Sequence, residues 1–245
     1  MTSFSLSYKA VLENEHKPSY KNVNNLQEAA ADFRFLLARG YPRKNALALV
    51  GNRYHLDEIA RRLLHRGVFA PEVAAARRAR LRLLREVPGR PLALDGHNVL
   101  ITLECAARRL PLVAADDGFI RDVGEISRAF KVSNATDRVL TLVADYLADH
   151  ATGPLEVFYD APLSLSGELA RRTREIFASR GLDARAAAVP VPERRLSGFP
   201  GAIATSDTAL IDAHETVVDL AGEIIRRHQE WRPIVLGEPG PGVAG

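Results

Sequence analysis

Four short apolar runs, each followed closely by an aspartate, constrain the fold of this chain more than any other feature. The runs cover residues 92–94, 155–159, 202–204 and 217–218, and the aspartates are Asp95, Asp160, Asp207 and Asp219. Helical patterns cover residues 98–109, 134–149, 166–180 and 220–229, and weaker strand candidates cover 112–114 and 186–189. Strands that alternate with helices of this length predict an α/β fold with a parallel sheet.

The residues that precede this region predict a separate helical module. A helix begins near Asn24 or Asn25, and glycines at 40, 51 and 67 are placed to end three successive helices. Pro71 opens a fourth helix, which carries arginines at 77, 78, 80, 82 and 85. Prolines at 88 and 91 and a glycine at 89 mark a boundary. We therefore expect a flexible arm over residues 1–23, a basic helical module over 24–87, an α/β domain over 88–232 and a disordered tail over 233–245.

The charges are distributed unevenly between these regions. Residues 1–90 contain 17 Lys and Arg against 8 Asp and Glu, whereas residues 91–245 contain 16 basic and 22 acidic residues. This asymmetry suits a protein that holds a polyanion with one region and a metal ion with the other. Two solvated surfaces of different charge would give the same counts, so both interpretations stay open.

Cysteine content and hydropathy limit the class of protein. Cys105 is the single cysteine, which excludes a disulfide within the chain and a thiolate zinc cluster. No apolar segment approaches the roughly 18 residues of a membrane span, and the first residues contain no signal-peptide run. We expect a cytoplasmic protein with no membrane contact.

Asp95 and Asp207 are the strongest candidates for chemistry because each follows the end of an apolar strand. The carboxyl ends of parallel strands meet at one edge of a sheet, where the sites of open α/β folds form. Asp95 precedes Gly96, and Asp207 follows Thr205 and Ser206. The structural alternative for both aspartates is the capping of the next helix or an Asx turn.

Asp137, Asp160 and Asp212 are further candidates for the same edge. Asp137 lies in the first turn of a predicted helix, where an acid also stabilises the helix dipole. Asp160 ends a strand, although an aspartate there also starts turns. Asp212 follows Asp207 by five positions, a loose helical spacing that also suits a solvated face.

A group of aspartates at one edge predicts a site for a hard divalent cation. Mg²⁺ and Mn²⁺ prefer oxygen ligands, and clustered carboxylates repel one another unless a cation neutralises them. Such an ion activates water and stabilises a leaving oxygen in phosphodiester cleavage. The sequence contains no phosphate-binding loop, no G-x-S-x-G and no H-E-x-x-H, so other common chemistries lack their motifs.

The segment Leu92-Ala-Leu-Asp-Gly-His-Asn-Val-Leu100 resembles the opening motif of PIN-like and NYN nucleases, in which a first strand ends in Asp-Gly-x-Asn. The resemblance implies that Asp95 is a metal ligand and that Asn98 helps to orient the site. The stretch Ile203-Ala-Thr-Ser-Asp207 is similar to the later strand that carries another metal-binding aspartate, and Asp137 best matches the middle acid. For residues 90–220 the resemblance implies a PIN-like parallel three-layer α/β/α sheet and a metal-dependent ribonuclease.

A second resemblance covers the helical module. Residues 34–68, with Phe35-Leu-Leu37, Arg39-Gly-Tyr-Pro42 and Leu49-Val-Gly-Asn-Arg-Tyr54, resemble an N-terminal domain of unknown function in archaeal and bacterial proteins. This resemblance implies no activity.

The function expected from these observations is metal-dependent phosphodiester hydrolysis of a nucleic acid, with RNA preferred over DNA. The catalytic residues would be Asp95, Asp137 and Asp207, which would bind Mg²⁺ or Mn²⁺ together with Asp212 or Asp160. The substrate contacts would be Asn98, Thr205, Ser206, Arg53, Arg61 and Arg62, with the arginines of the fourth helix binding the phosphate backbone.

Two alternatives stay open at this point. The first is a non-catalytic nucleic-acid-binding protein with a degenerate PIN-like domain, in which the α/β region is a scaffold or the interface of a homodimer. The second is a phosphatase that uses the same aspartates on small phosphate esters.

Overall fold

The structure is a computed structural model, and it describes residues 23–124, 132–150, 152–163 and 165–237. The flexible arm expected at the N-terminus therefore lies outside the described residues, apart from Val23. The tail expected at the C-terminus lies outside them from residue 238 onward.

The centre of the molecule is a six-stranded parallel sheet, which confirms the predicted α/β class. Its strands are β1 (Leu81–Arg82), β2 (Leu92–Asp95), β5 (Leu155–Asp160), β6 (Ala184–Val189), β7 (Ala202–Ala204) and β8 (Val217–Val218), in the spatial order β1-β8-β7-β2-β5-β6. β2 is central and pairs with β5 on one side and β7 on the other. This order places the ends of β2 and β7 side by side.

Helices cover both faces of this sheet and produce three layers. They are α5 (Gly96–Ala107), α6 (Asn134–Ala148), α7 (Ser166–Ala178), α8 (Pro192–Ser197), α9 (Thr208–Ala213) and α10 (Leu220–Arg227). Leu92 and Leu94 pack against α5, α6, α7 and α10, whereas Ala93 faces α8 and α9. Because side chains alternate along a strand and both faces are buried, the strands read as continuous apolar runs.

The N-terminal module consists of four helices: α1 (Val23–Ala38), α2 (Arg43–Arg53), α3 (Glu58–Gly67) and α4 (Pro71–Arg78). They pack against a second, three-stranded sheet of β4 (Ile120–Asp122), β3 (Leu112–Ala114) and β9 (Ile234–Val235). Val113, Val123 and Leu236 share one apolar cluster with the helices of the module. The module is therefore joined to the α/β region by a common core.

Three short elements differ from the sequence expectation. The fourth helix ends at Arg78, and after it Leu81–Arg82 form β1, which pairs with β8 at the sheet edge before the short 3₁₀ helix Leu84–Glu86. Ile234–Val235 form β9 beside β3, although we expected this stretch to be disordered. Two-residue strands have no hydrophobic period of their own, so only their partners in the folded chain create them.

No helix of the described residues is long and apolar enough to cross a membrane.

Candidate functional site

Two loops at the ends of β2 and β7 meet at the carboxyl edge of the central sheet. Leu94 and Ala204 are paired in register, so Asp95 and Thr205 follow them side by side. The Thr205 hydroxyl donates to Asp95 Oδ2 at 2.9 Å and accepts from the backbone N–H of Asp207 at 3.1 Å. We call Asp95, Asn98, Thr205, Ser206 and Asp207 the carboxylate edge.

Asn98 ties the two loops together. Its side-chain oxygen accepts from the Ser206 backbone N–H at 2.8 Å and from the Ser206 hydroxyl at 3.1 Å. Its own backbone N–H donates to Asp95 Oδ1 at 3.3 Å, so Asp95 also caps α5. The predicted orienting role of Asn98 therefore has a geometric basis in these contacts.

The structure leaves no room for a side chain at Gly96. A Cβ at this position would lie 2.3 Å from a ring carbon of Tyr159, a buried aromatic side chain of β5. Only glycine lets α5 begin directly after Asp95 while β5 packs beside it. The Asp-Gly pair thus fixes where the carboxylate leaves the sheet.

The pKa of Asp95 is raised to about 6. Burial is the largest cause, the hydrogen bonds from Thr205 and Asn98 oppose the rise, and the negative charges of Asp207 and Glu193 add to it. A cation near a buried carboxylate stabilises its ionised form. A cation bound beside Asp95 would therefore lower this pKa.

Asp207, a member of the carboxylate edge, also accepts hydrogen bonds from the first turn of the next helix. Its Oδ1 accepts from the backbone N–H groups of Ala209 at 2.9 Å and Leu210 at 3.1 Å, which caps α9. The capping interpretation of Asp207 from the sequence is therefore correct, and it accounts for one of the two carboxylate oxygens.

The structure does not bring Asp137 and Asp212 to this edge. Asp137 forms an ion pair with Arg172 of α7 at 3.0 Å. Asp212 accepts from Arg77 at 2.7 and 2.6 Å, and the arginine lowers the pKa of that carboxyl. Both carboxylates thus have arginine partners in place of a metal ion.

Asp160 ends β5, the neighbour of β2, and its backbone contacts a side chain of α5. Its backbone N–H donates to Nδ1 of His97 at 3.1 Å. In the described part of the chain, no three or more His, Cys, Asp or Glu side chains form a group that could hold a metal ion. The five aspartates predicted from the sequence are therefore not assembled into one shell.

The donor set that is present matches one mode of metal binding and not another. Asp95 and Asp207 cannot form an all-protein cage by themselves. Mg²⁺, however, usually keeps several waters and binds through one or two carboxylates together with substrate phosphates. The carboxylate edge fits Mg²⁺ or Mn²⁺ in this second mode.

The three arginines predicted to bind substrate lie elsewhere, on α2 and α3. Arg53 pairs with Asp32 at 3.6 Å, Arg61 donates to Asn52 at 3.0 Å, and Arg62 pairs with the glutamate four residues before it. All three contacts stay within the helical module, so these side chains do not extend the carboxylate edge.

A cavity of about 380 Å³ opens beside the carboxylate edge, between the helical module and the sheet. Ser206, Asp207 and Thr208 form one side of it. Four arginines also line it: Arg43 of α2, Arg66 of α3, Arg77 of α4 and Arg121 of β4. We call it the arginine cavity.

Sequence analysis did not find these four arginines as a group. It named Arg77 only as one of several helix arginines, yet this side chain is 6% exposed. Arg121, 2% exposed, lies in a strand that the sequence did not predict. The one local signal for Arg77 is the high arginine content of residues 77–85, which does not distinguish this buried side chain from its more exposed neighbours.

The comparisons with known proteins give families of unknown function. Residues 25–80 match the model described as "Protein of unknown function (DUF434)", and residues 84–223 match "Domain of unknown function (DUF5616)". The uncharacterised protein MJ0935 of Methanocaldococcus jannaschii is 29% identical over 203 residues, which are 82% of this chain and 97% of that protein. No solved structure matches the chain significantly. Since the match over residues 84–223 spans more than half of the sequence, the chain belongs to the DUF5616 family.

Proposed function

We propose that this protein is a metal-dependent phosphodiester hydrolase that acts on nucleic acid, with RNA preferred over DNA. The observation that carries the proposal is the pair of carboxylates that β2 and β7 bring to one edge of the parallel sheet, joined through Thr205. The raised pKa of Asp95 supports it, since a structural ion pair would lower that pKa instead.

The residues of the edge have separate tasks in this proposal. Asp95 and Asp207 would hold Mg²⁺ or Mn²⁺, and the bound ion would supply an activated water and stabilise the leaving oxygen. Thr205 and Asn98 hold Asp95 in place through hydrogen bonds to its two carboxylate oxygens. Because the pKa of Asp95 is about 6, the carboxylate is ionised at neutral pH and becomes protonated in mild acid.

The choice of a phosphate substrate rests on charge. Asp207 lies in both the carboxylate edge and the arginine cavity, so cationic side chains stand next to the proposed metal site. This pairing suits a phosphate ester, which binds arginines and a divalent cation at the same time. The preference for RNA rests on the resemblance to PIN-like nucleases, and the cytoplasmic location and a homodimer stay predictions from the sequence.

Cleavage of labelled RNA in Mn²⁺, with and without EDTA, tests the proposal. We expect cleavage by the intact protein and a loss of at least about a hundredfold in Asp95→Asn and in Asp207→Asn, because each change removes a proposed metal ligand. Asp145→Asn is the matched control, since Asp145 of α6 forms a partly exposed ion pair with Arg180, which follows α7. Undiminished cleavage by Asp95→Asn would refute the site.

Thermal unfolding gives a second readout that does not depend on activity. Saturating Mn²⁺ should raise the melting temperature of the unmodified protein, because a ligand that binds only the folded state stabilises it. The same ion should leave the melting temperature of Asp95→Asn nearly unchanged. An equal rise in both proteins would place the bound metal elsewhere.

A non-catalytic nucleic-acid-binding protein is the second candidate, and one observation favours it. Among the described residues, hydrogen bonds through Thr205 link two carboxylates at the edge, whereas the sequence resemblance implies three or more metal-binding acids. Under this alternative the protein retains labelled RNA in a binding assay at low salt and does not cleave it in any divalent metal.

A further inference from the structure

Three guanidinium groups surround one aromatic ring in the arginine cavity. The ring of Phe69 has Arg43 at 4.7 Å, Arg77 at 4.6 Å and Arg121 at 5.3 Å from its centroid. A ring attracts each cation over its face but cannot cancel the repulsion among three of them. The cluster therefore needs negative charge from other groups.

The carboxylates of Asp117, which is buried, and Asp212, which is exposed, supply that charge to two of the three. Asp117 accepts from two nitrogens of Arg121, both at 2.8 Å, and lies 3.4 Å from Arg77. Arg77 also pairs with Asp212 at 2.6 Å. Arg77 and Arg121 are thus fixed in place and partly neutralised.

Arg43 differs from its neighbours because its acceptors are neutral. It donates to the carbonyl of Val68 at 2.7 Å and to the carbonyl of His65, and it forms no ion pair with any described residue. Burial, followed by the charges of Arg77 and Arg121, lowers the pKa of Arg43 to about 10. A half-buried cation of this kind gains stability when an anion binds beside it.

Arg66 provides an independent indication of a missing acceptor. Its Nε is buried and has no hydrogen-bond partner among the described residues, while its terminal nitrogen lies 3.3 Å from Asp122. A buried donor without an acceptor is costly, so a group that accepts a hydrogen bond from Arg66 would stabilise the folded protein.

We propose that the arginine cavity binds a terminal phosphate, that is, a phosphomonoester. At neutral pH such a group carries a charge of roughly −1.5 to −2 and three strong acceptor oxygens, whereas a phosphodiester carries a single charge. Guanidinium groups match phosphate oxygens in paired hydrogen bonds, and Arg43 and Arg66 have donors to offer. The cavity volume of about 380 Å³ leaves room for the attached sugar.

This inference deepens the proposed function and rests on it in one respect, namely that the phosphate belongs to a nucleic-acid end. Asp207 forms part of the cavity wall, so a phosphate held there lies beside the carboxylate edge. A hydrolase with this arrangement recognises the terminal nucleotide of its substrate. A free mononucleotide carries the same group, and the experiment separates the two sources.

Equilibrium binding to the full chain tests the inference. Titration with 5′-AMP should show saturable binding, and adenosine should show none at the same concentrations. Arg43→Gln and Arg66→Gln should each weaken 5′-AMP binding by about tenfold to a hundredfold, the usual effect of losing a hydrogen bond to a charged group. Arg53→Gln on α2 and Arg62→Gln on α3 are matched controls, because both arginines lie on the same helices outside the cavity, and they should bind like the unmodified protein.

Labelled oligoribonucleotides with a 5′-phosphate, a 3′-phosphate or hydroxyl ends identify the source of the phosphate. Tighter binding of one phosphorylated end than of the hydroxyl end, lost in Arg43→Gln, supports a nucleic-acid terminus. Binding of 5′-AMP alone assigns the cavity to a free nucleotide. Absence of any saturable binding, or equal affinities in Arg43→Gln and Arg53→Gln, overturns the inference.

Two further measurements keep the outcomes distinct. The melting temperature of each variant without ligand shows whether it folds, and Arg66→Gln serves where Arg43→Gln does not. Asp145→Asn should bind 5′-AMP like the unmodified protein, because the Asp145 carboxylate pairs with Arg180 at the surface. If RNA is never cleaved while 5′-AMP binding depends on Arg43 and Arg66, the hydrolase proposal fails and the phosphate site stands.

Discussion

The carboxylate edge and the arginine cavity meet at Asp207, but they are built in different ways. The edge consists of residues that directly follow two paired strands, and its side chains come from the segments 95–98 and 205–207. The cavity draws its arginines from α2, α3, α4 and β4, elements that are brought together only in the folded chain. A site made by strand ends leaves a local signal in the sequence, whereas a site between two modules does not.

The two regions also have opposite charge. Burial shifts both key pKa values, and like charge adds to each shift: negative charge at the edge helps to raise the pKa of Asp95, and positive charge in the cavity helps to lower the pKa of Arg43. A ligand group of the opposite charge would stabilise each region. A phosphate ester with a divalent cation provides both groups in one complex, which is why the two proposals support each other.

The largest expected effect concerns the buried charge that holds the cavity together. Asp117 is fully buried and pairs with Arg121 and Arg77. Asp117→Asn keeps the shape but leaves these arginines without a buried counter-charge, so we expect a loss of about 3–5 kcal/mol in the free energy of unfolding. Urea unfolding at pH 7 measures this loss. A loss below about 1 kcal/mol would show that Arg77 and Arg121 do not need the charge of Asp117 for stability.

The second largest expected effect is a gain in the free energy of unfolding, and it comes from a substitution of Asp95 in the carboxylate edge. The folded protein holds the pKa of Asp95 near 6, above its ordinary value of 3.8, so the folded state binds a proton more tightly than the unfolded state. Ionised Asp95 therefore destabilises the fold, by an amount that grows from about pH 4 to pH 6 and is constant above that.

Asp95→Asn should accordingly stabilise the protein at pH 8 by up to about 3 kcal/mol, since one pKa unit corresponds to about 1.4 kcal/mol. The gain should shrink as the pH falls toward 4, where both states of the unmodified protein bind the proton. Urea unfolding without divalent metal at pH 8, 6 and 4 measures this trend. A gain that grows in acid would mean that Asp95 is stabilised as a carboxylate by a cationic partner.

These comparisons indicate how far the sequence could predict the molecule. The parallel sheet was predictable because apolar runs, helix caps and glycines act locally. The position of Asp95 at a strand exit was predictable for the same reason, whereas Asn98 was named only through the resemblance to the Asp-Gly-x-Asn motif. The ion pairs of Asp137 with Arg172 and of Asp212 with Arg77 were not, because their partners are 35 and 135 positions away. Sequence position alone cannot distinguish a metal ligand from half of such an ion pair.

A smaller loss of stability is expected when Phe69, the buried aromatic ring of the arginine cavity, is replaced. Phe69→Leu removes the ring that three arginines share, and we expect a loss of about 1–2 kcal/mol in unfolding free energy. Phe35→Leu is the matched control, since Phe35 is 58% exposed and has only Arg39 at 5.1 Å among the described residues. Phe35→Leu should change the free energy of unfolding by less than about 0.5 kcal/mol. A loss for Phe69→Leu no larger than that for Phe35→Leu in urea unfolding would mean that neither the burial of this ring nor its cation–π contacts add to stability.

The smallest expected effect concerns Asp137 and tests whether this residue takes part in catalysis. The sequence places Asp137 among the catalytic acids, whereas the structure pairs it with Arg172 on a partly exposed helix surface. Asp137→Asn should therefore leave RNA cleavage in Mn²⁺ within about twofold of the unmodified protein and change stability by less than about 1 kcal/mol. A loss as large as that of Asp95→Asn would mean that α6 and its aspartate join the edge when metal and RNA bind. The two-carboxylate site would then be an incomplete form of the set that the sequence predicts.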